Sequence, residues 1–327
     1  MPDECDVSVI ICTYNRQHLL KTALKSILSQ QADGLRYEVV VVDNNSTDDT
    51  RQVIETFMGR GATNLRYLFE GRQGLSYARN AGVAVSRSPI VAFTDDDVQV
   101  APDWAATIKQ TLDDHPEIEC VGGKVIPHWP SAPPAWLTNE HWAPLAIVDY
   151  GQKPFYVNAG HQLCLLTANM AIRKHTLQRV GGFLPELQRV ENSIGSMEDH
   201  ELLLRLWSIQ AQGLYVPELV VSSRIAADRL TKSYHRRWRF GHGGFYALAR
   251  IKEFERSRSG FFLGVPYHLC RAASLDAVGW LAHVVRGDLN RAFTCETRLR
   301  FFAGFLNTRS RDWFLRRHHG PRPFQAA

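Results

Sequence analysis

Apolar residues in the first 125 positions fall in short runs, separated by stretches in which they recur every three or four residues. Val7–Cys12 and Tyr37–Val42 read as strands, and the unbroken Val39-Val40-Val41-Val42 suits a strand buried on both faces of a parallel sheet. Asn64–Phe69, Ile90–Thr94 and Glu119–Val125 read as three more. Between them lie helical patterns: 17–29 with Leu20, Leu24, Ile27 and Leu28 on one side, a stretch opened by Ser46 and Asp49 in capping-box spacing, 74–86, and 102–115. Strand and helix alternate about every 25 residues, which predicts an open α/β sheet with right-handed crossovers.

Downstream, 127–144 changes character, with five prolines and three tryptophans (Trp129, Trp136, Trp142), and reads as an irregular loop whose aromatics either stack on a ligand or cover the sheet. Residues 162–173 read as a strand containing Thr167-Ala168-Asn169, and Gly181-Gly182-Phe183 as a turn. A helix is expected over 198–212, with Leu202, Leu206 and Ile209 as its buried stripe and Glu198 and Asp199 in its first turn. From Arg224 onward the chain reads as mostly helical, with arginines set among aromatic and aliphatic residues. These shifts divide the chain into 1–223, itself split near residue 125, and a helical extension over 224–327.

Charge sharpens that boundary. Of 38 Lys/Arg and 33 Asp/Glu, residues 1–223 hold 18 and 26 (−8), and residues 224–327 hold 20 and 7 (+13), which together give the net +5. A basic segment of this kind predicts an anionic partner, a membrane surface or a nucleic acid, unless it is only a solvated helical face. The six cysteines are scattered without CxxC pairs, as expected of reduced thiols. The N-terminus lacks the basic-then-apolar pattern of a signal peptide, and no segment reads as a membrane span, so a cytoplasmic protein is expected.

Ligands of open α/β sheets bind beyond the carboxyl ends of the strands. Here those ends carry Thr13-Tyr14-Asn15, Asp43-Asn44-Asn45 and Asp95-Asp96-Asp97, one polar constellation along one edge. Three adjacent carboxylates repel one another. Either a hard divalent cation with oxygen ligands relieves them, or they form a solvated acidic turn ahead of the next helix. Glu198 and Asp199 likewise have two readings: complements to the helix dipole, or a carboxylate placed to abstract a proton.

VSVIICTYNR (Val7 to Arg16), VVVVDNNSTDDT (Val39 to Thr50), GLSYARNAG (Gly74 to Gly82), FTDDD (Phe93 to Asp97) and MEDHELLLR (Met197 to Arg205) together resemble the family-two glycosyltransferases of GT-A fold, over roughly residues 5–245. That resemblance implies a nucleotide-binding mixed open sheet flanked by helices, and an inverting, metal-assisted transfer of a sugar from a nucleotide-diphosphate donor to an acceptor hydroxyl. It further implies that Thr13, Tyr14, Asn15, Asp43, Arg79, Asp95 and Asp96 hold the nucleotide, a UDP-sugar foremost. Asp97, with Asp95, would hold Mg²⁺ or Mn²⁺. Asp199 would be the general base supported by Glu198, and Thr167, Asn169, Trp129 and Trp136 would flank the acceptor. Surface polysaccharide or glycolipid synthesis is the expected setting, with a glycan, lipid-linked or small-molecule acceptor. Relatives often carry a histidine metal ligand where this chain has Ser222 and Ser223.

Three other classes fit the sequence less well. A nucleotidyltransferase or a dinucleotide dehydrogenase calls for a glycine-rich phosphate loop after the first strand, and Cys12 to Arg16 contains no glycine. A catalytically weak adaptor for membrane or nucleic acid fits the basic segment but not the joint presence of Asp97 and Asp199, and nucleic acid is the less expected partner.

Overall fold

The computed structural model describes residues 5–31, 34–187, 197–249, 260–262 and 264–319. The chain forms two compact units, one of Met1–Pro130, Ala146–Glu191 and Glu198–Ile225, the other of Ser131–Leu145, Asn192–Met197 and Ala226–Ala327. The Pro/Trp-rich stretch is thus divided between them after Pro130.

The first unit is built on a mixed sheet of nine strands. Strands β1 (Val7–Thr13), β2 (Tyr37–Asp43), β3 (Leu65–Phe69) and β4 (Ile90–Asp95) are joined in parallel as β3-β2-β1-β4. The order continues through β8 (Met170–Arg173), β6 (Cys120–His128), β9 (Gly213–Arg224) and β5 (Val98–Val100), with β7 (Phe155–Val157) also on β9. Strand β8 is antiparallel to both neighbours, and β6 is parallel to β9.

Side-chain alternation explains the layering, since successive strand residues point to opposite faces. Val7, Val9 and Ile11, with Val39 and Val41, belong to one core, shared with Leu20, Leu24 and Ile27 of α1 (Gln17–Leu28), Ile54 of α2 (Thr50–Gly59), and Trp104 and Ile108 of α4 (Trp104–Asp114). Ile10, Val40 and Val42 face the other core with Ala78 and Val83 of α3 (Leu75–Val85), and Leu202 and Leu206 of α6 (Glu198–Ser208). Strands buried on both faces cannot alternate apolar with polar. The valine run is the consequence.

Local details depart from expectation. Ser46 does not cap α2: its hydroxyl accepts from the Asn15 amide at 3.0 Å, while Asp48 accepts from the amide and hydroxyl of Thr50. Helix α6 ends at Ser208, so Ile209 is exposed, and Leu203 and Trp207 join the buried stripe instead. Thr167–Asn169 is a single 3-10 turn leading into β8. All six cysteines are free thiols.

In the second unit, α7 (Lys232–Ala249) packs along a long helix, Leu289–His319, which also receives the helix Tyr267–Val285. Gly243 and Gly304 make the closest approach possible. An added Cβ on Gly243 would stand 2.0 Å from the Phe301 carbonyl oxygen, and one on Gly304 1.9 Å from that of Phe240. Arg236 makes a paired hydrogen bond with Glu296, and Arg239 bonds the Glu140 carbonyl.

Candidate active site

The site grows from the carboxyl ends of β1, β2 and β4. Past β1 and β2, Asn15 and Asn45 adopt positive φ (52° and 67°), a left-handed conformation that asparagine tolerates better than most residues. The Asn15 side-chain oxygen accepts from the Thr47 amide at 2.7 Å, which ties the two loops together. Asp43 is buried; it accepts from the Ser46 amide at 2.9 Å and the Tyr67 hydroxyl at 3.0 Å. A carboxylate has about four acceptor positions, so it keeps capacity for a further donor. Asn44 bonds the carbonyls of Glu70 and Arg72 and the amide of Gly74, fixing the loop into α3. Tyr14 is exposed at the rim.

The three aspartates turn different ways. Asp96 is buried and accepts from the Thr13 hydroxyl at 2.8 Å and from Arg16 at 2.6 Å, and Arg16 also reaches Asp97 at 3.2 Å. Asp95 faces Arg79 at 3.8 Å. Burial is the main cause raising the pKa of both Asp95 and Asp96. The charge of Asp97 adds to it in each case, against the opposing pull of Arg79 on the first and Arg16 on the second.

Arg79 is the hub. Its position depends on Gly82, one turn on in α3, where an added Cβ would lie 2.7 Å from Ile10: only glycine lets α3 settle this close to β1. From there the buried guanidinium reaches Asp199 at 3.1 Å, Glu198 at 3.6 Å and Asp95 at 3.8 Å, and sits 5.2 Å from the Phe183 ring centroid. Burial works against its charge, but Asp199, Glu198 and Asp95 outweigh it and raise the pKa above the ordinary arginine value. Asn80 clamps the glycine turn beneath, bonding both the amide and the carbonyl of Phe183. Gly182 there has φ 73°.

Asp199 is held from a second side: Oδ1 accepts from the Thr167 hydroxyl at 2.8 Å and Oδ2 from the Thr167 amide at 3.2 Å. Thr167 is fully buried, so it positions Asp199 from behind. Asn169 does something else. Its amide accepts from the Trp104 indole at 2.7 Å and donates to the carbonyls of Lys124 and Leu219, both at 2.8 Å, with no exposed surface. The acceptor contact expected of Asn169 is therefore corrected: this side chain stitches α4, β6 and β9 together. Trp129 is half-buried just beyond β6. Trp136 lies in the second unit, edge-on to His141, His235 and Phe293.

Three residues were not singled out from the sequence. Arg16 is the counter-charge to Asp96 and Asp97, and the only hint was a cation three residues past the strand that neighbours the aspartate strand. His128 and Arg224, paired in register on β6 and β9, line with Asp97 a cavity of about 270 Å³ against α1. The Arg224 amide donates to the Asp97 carbonyl at 2.9 Å. Ser222 and Ser223 stand in β9 opposite Gln99 and Val98.

Does this donor set suit a divalent cation? Asp95, Asp96, Asp97, Glu198 and Asp199 are five carboxylates against the guanidiniums of Arg16 and Arg79, three negative charges in excess when all are ionised. Hard oxygen donors with surplus negative charge are what Mg²⁺ and Mn²⁺ take. Among the described residues no three such groups converge on one point. The chemistry fits, and Asp97 would have to exchange Arg16 for the ion.

Residues 8–161 match the family described as Glycosyl transferase family 2. The glucosyl-dolichyl phosphate glucuronosyltransferase of Haloferax volcanii is 27% identical over 180 residues, 54% of this chain and 55% of that protein. The GalNAc(5)-diNAcBac-PP-undecaprenol beta-1,3-glucosyltransferase of Campylobacter jejuni is 34% identical over 106 residues, 32% of this chain and 33% of that one. The chain thus spans about half, or less, of the length of these curated relatives. The structure of a Pyrobaculum calidifontis mannosyltransferase with GDP-Man and Mn²⁺ is 20% identical and covers 94% of this chain and 88% of its own, with a TM-score of 0.61. That likeness shows the GT-A fold.

Proposed function

We propose that this protein, whose residues 8–161 match glycosyl transferase family 2, transfers a sugar from a nucleotide-diphosphate donor to an acceptor hydroxyl with inversion at the anomeric carbon. The observation that carries the reading is the bridge made by Arg79. One buried guanidinium meets Asp95 at the strand end and Asp199 at the start of α6, so the donor-side carboxylates and the base share one site. Thr13, Tyr14, Asn15 and Asp43 receive the nucleotide, with Asp43 accepting from a base ring N–H. A UDP-sugar is the first donor to test, since uracil offers that N–H.

Asp97, with Asp95, would hold Mg²⁺ or Mn²⁺, which supplies charge neutralisation for the departing diphosphate. The chain's own residues do the rest. Thr167 and Arg79 engage Asp199 Oδ1, which leaves Oδ2, bonded among the described residues to the Thr167 amide alone at 3.2 Å, as the oxygen with room for a proton. The acceptor O–H gives its proton to Asp199. The acceptor oxygen attacks the anomeric carbon from the face opposite the diphosphate, and the diphosphate leaves with the electron pair of the broken C–O bond. Glu198 supports Arg79. Trp129 flanks the acceptor side, where Thr167 acts only through Asp199. Two relatives are named for dolichyl phosphate and undecaprenol, which supports a lipid-linked acceptor and glycolipid or polysaccharide synthesis.

Calorimetry with UDP and GDP, with Mn²⁺ or with chelator, tests the donor half. Mn²⁺ is expected to tighten binding, and Asp97→Ala to abolish the gain. Equal affinity with chelator present removes the metal from the reading.

A further inference from the structure

The helix Tyr267–Val285 has no buried residue. Its Asp276 faces the helix Leu289–His319, where Arg298 reaches it at 3.4 Å, and Gly279 lies nearest Cys295. The other side carries Leu275, Val278, Leu281 and Val285, exposed by 64%, 69%, 58% and 79%. Spaced three or four residues apart, they form one stripe along a helix roughly 28 Å long. Val284 widens it, and exposed Phe261 and Phe262 lie shortly before the helix. Scattered exposed apolar residues are ordinary, but a contiguous patch rimmed by polar groups marks an interaction surface.

The rim identifies the partner. Arg271 and Arg286 are exposed at the two ends of the stripe, and the helix's sole acid is the one paired with Arg298. Residues 224–327 hold 20 Lys/Arg against 7 Asp/Glu, a balance of +13. A second copy laid on this face would bring like charges together. An anionic lipid surface satisfies both features, taking the apolar stripe into the acyl boundary and the arginines to the headgroups. No described helix is long and apolar enough to cross a bilayer, so the contact is lateral. We infer that the exposed face of the Tyr267–Val285 helix docks this protein on anionic lipid headgroups. The basic, arginine- and aromatic-rich residues 224–327 suggested such a contact from sequence, and within them α7 packs on its neighbour with Arg236 bonded to Glu296. The lipid-facing element is the next helix in the described chain.

The test uses the full chain. Sedimentation with phosphatidylcholine vesicles containing one third phosphatidylglycerol should carry the protein down, with less on pure phosphatidylcholine and less at high salt. Val278→Glu with Leu281→Glu should lower the partition coefficient by about tenfold or more. Val278→Ser with Leu281→Ser, the milder pair, should lower it less and guards against misfolding. UDP binding, measured on the same preparations, should stay at the wild-type value; losing it alone counts against the proposed function and not against this surface. Unchanged sedimentation in both pairs overturns the inference. So does a dimer, seen by analytical ultracentrifugation, that the same substitutions split while the wild type ignores vesicles.

Discussion

Replacing Arg79 by methionine is the perturbation whose consequences the structure defines best. At an effective dielectric of ~20, a charge pair at 3.1 Å is worth about 5 kcal/mol gross, and pairs at 3.6–3.8 Å slightly less. Asp95 contributes below that figure, since over a third of its side chain is exposed and screened. Against this stands the cost of burying the guanidinium, so the pairs are not a net gain of their sum. What the substitution leaves behind matters more: the carboxylates of Glu198 and Asp199 both lose this guanidinium, and breaking a buried pair in this way costs about 3–5 kcal/mol. Methionine keeps most of the volume and its contact with Phe183, so packing loss is a minor part. Chemical denaturation of wild type, Arg79→Met, Asp199→Asn and the double variant gives the coupling directly. Arg79→Met is expected to lose about 3–5 kcal/mol, and adding Asp199→Asn to restore about 1 kcal/mol or more by removing one stranded charge. If Arg79→Met loses under about 1 kcal/mol, or if the second substitution simply adds its own loss, Arg79 is not the hub described here.

Three further outcomes are expected. Asp199→Asn should lower transfer by about 10²–10⁴-fold while UDP affinity stays near wild type, with stability reduced by the lost pair to Arg79; near-normal turnover would move the base elsewhere. Asn169→Ala strands the Trp104 indole and the carbonyls of Lys124 and Leu219, so it should destabilise by about 2–4 kcal/mol, with the KM for acceptor unchanged in the folded fraction. His235, fully buried, has its pKa lowered to about 4, by burial first and then by the charge of His141. The unfolded chain therefore binds a proton near pH 6.5 that the folded one refuses. Stability should fall by up to about 3 kcal/mol as pH drops from 6.5 towards 4, and His235→Phe should flatten that part of the profile.

Much of the first unit is determined by local pattern. A valine run can be buried on both faces only in a strand covered by helices on each side, and strand order then carries Thr13, Asp43 and Asp95–Asp97 to one sheet edge without knowledge of any contact. The pattern also carries charge, with a step from −8 to +13 at residue 224.

Tertiary structure alone decided which polar residues act and which merely hold. Thr167 and Asn169 sit two positions apart in the same turn, yet one hydroxyl meets Asp199 and the other side chain is enclosed between two strand carbonyls and an indole. No periodicity separates them, because their partners come from elements 32 to 65 residues away. Arg16 meets Asp96 across 80 residues, and Arg79 meets Asp199 across 120. The exposed stripe of the Tyr267–Val285 helix is likewise invisible in one dimension. Its leucines and valines are set outward only because the Leu289–His319 helix packs on the opposite side.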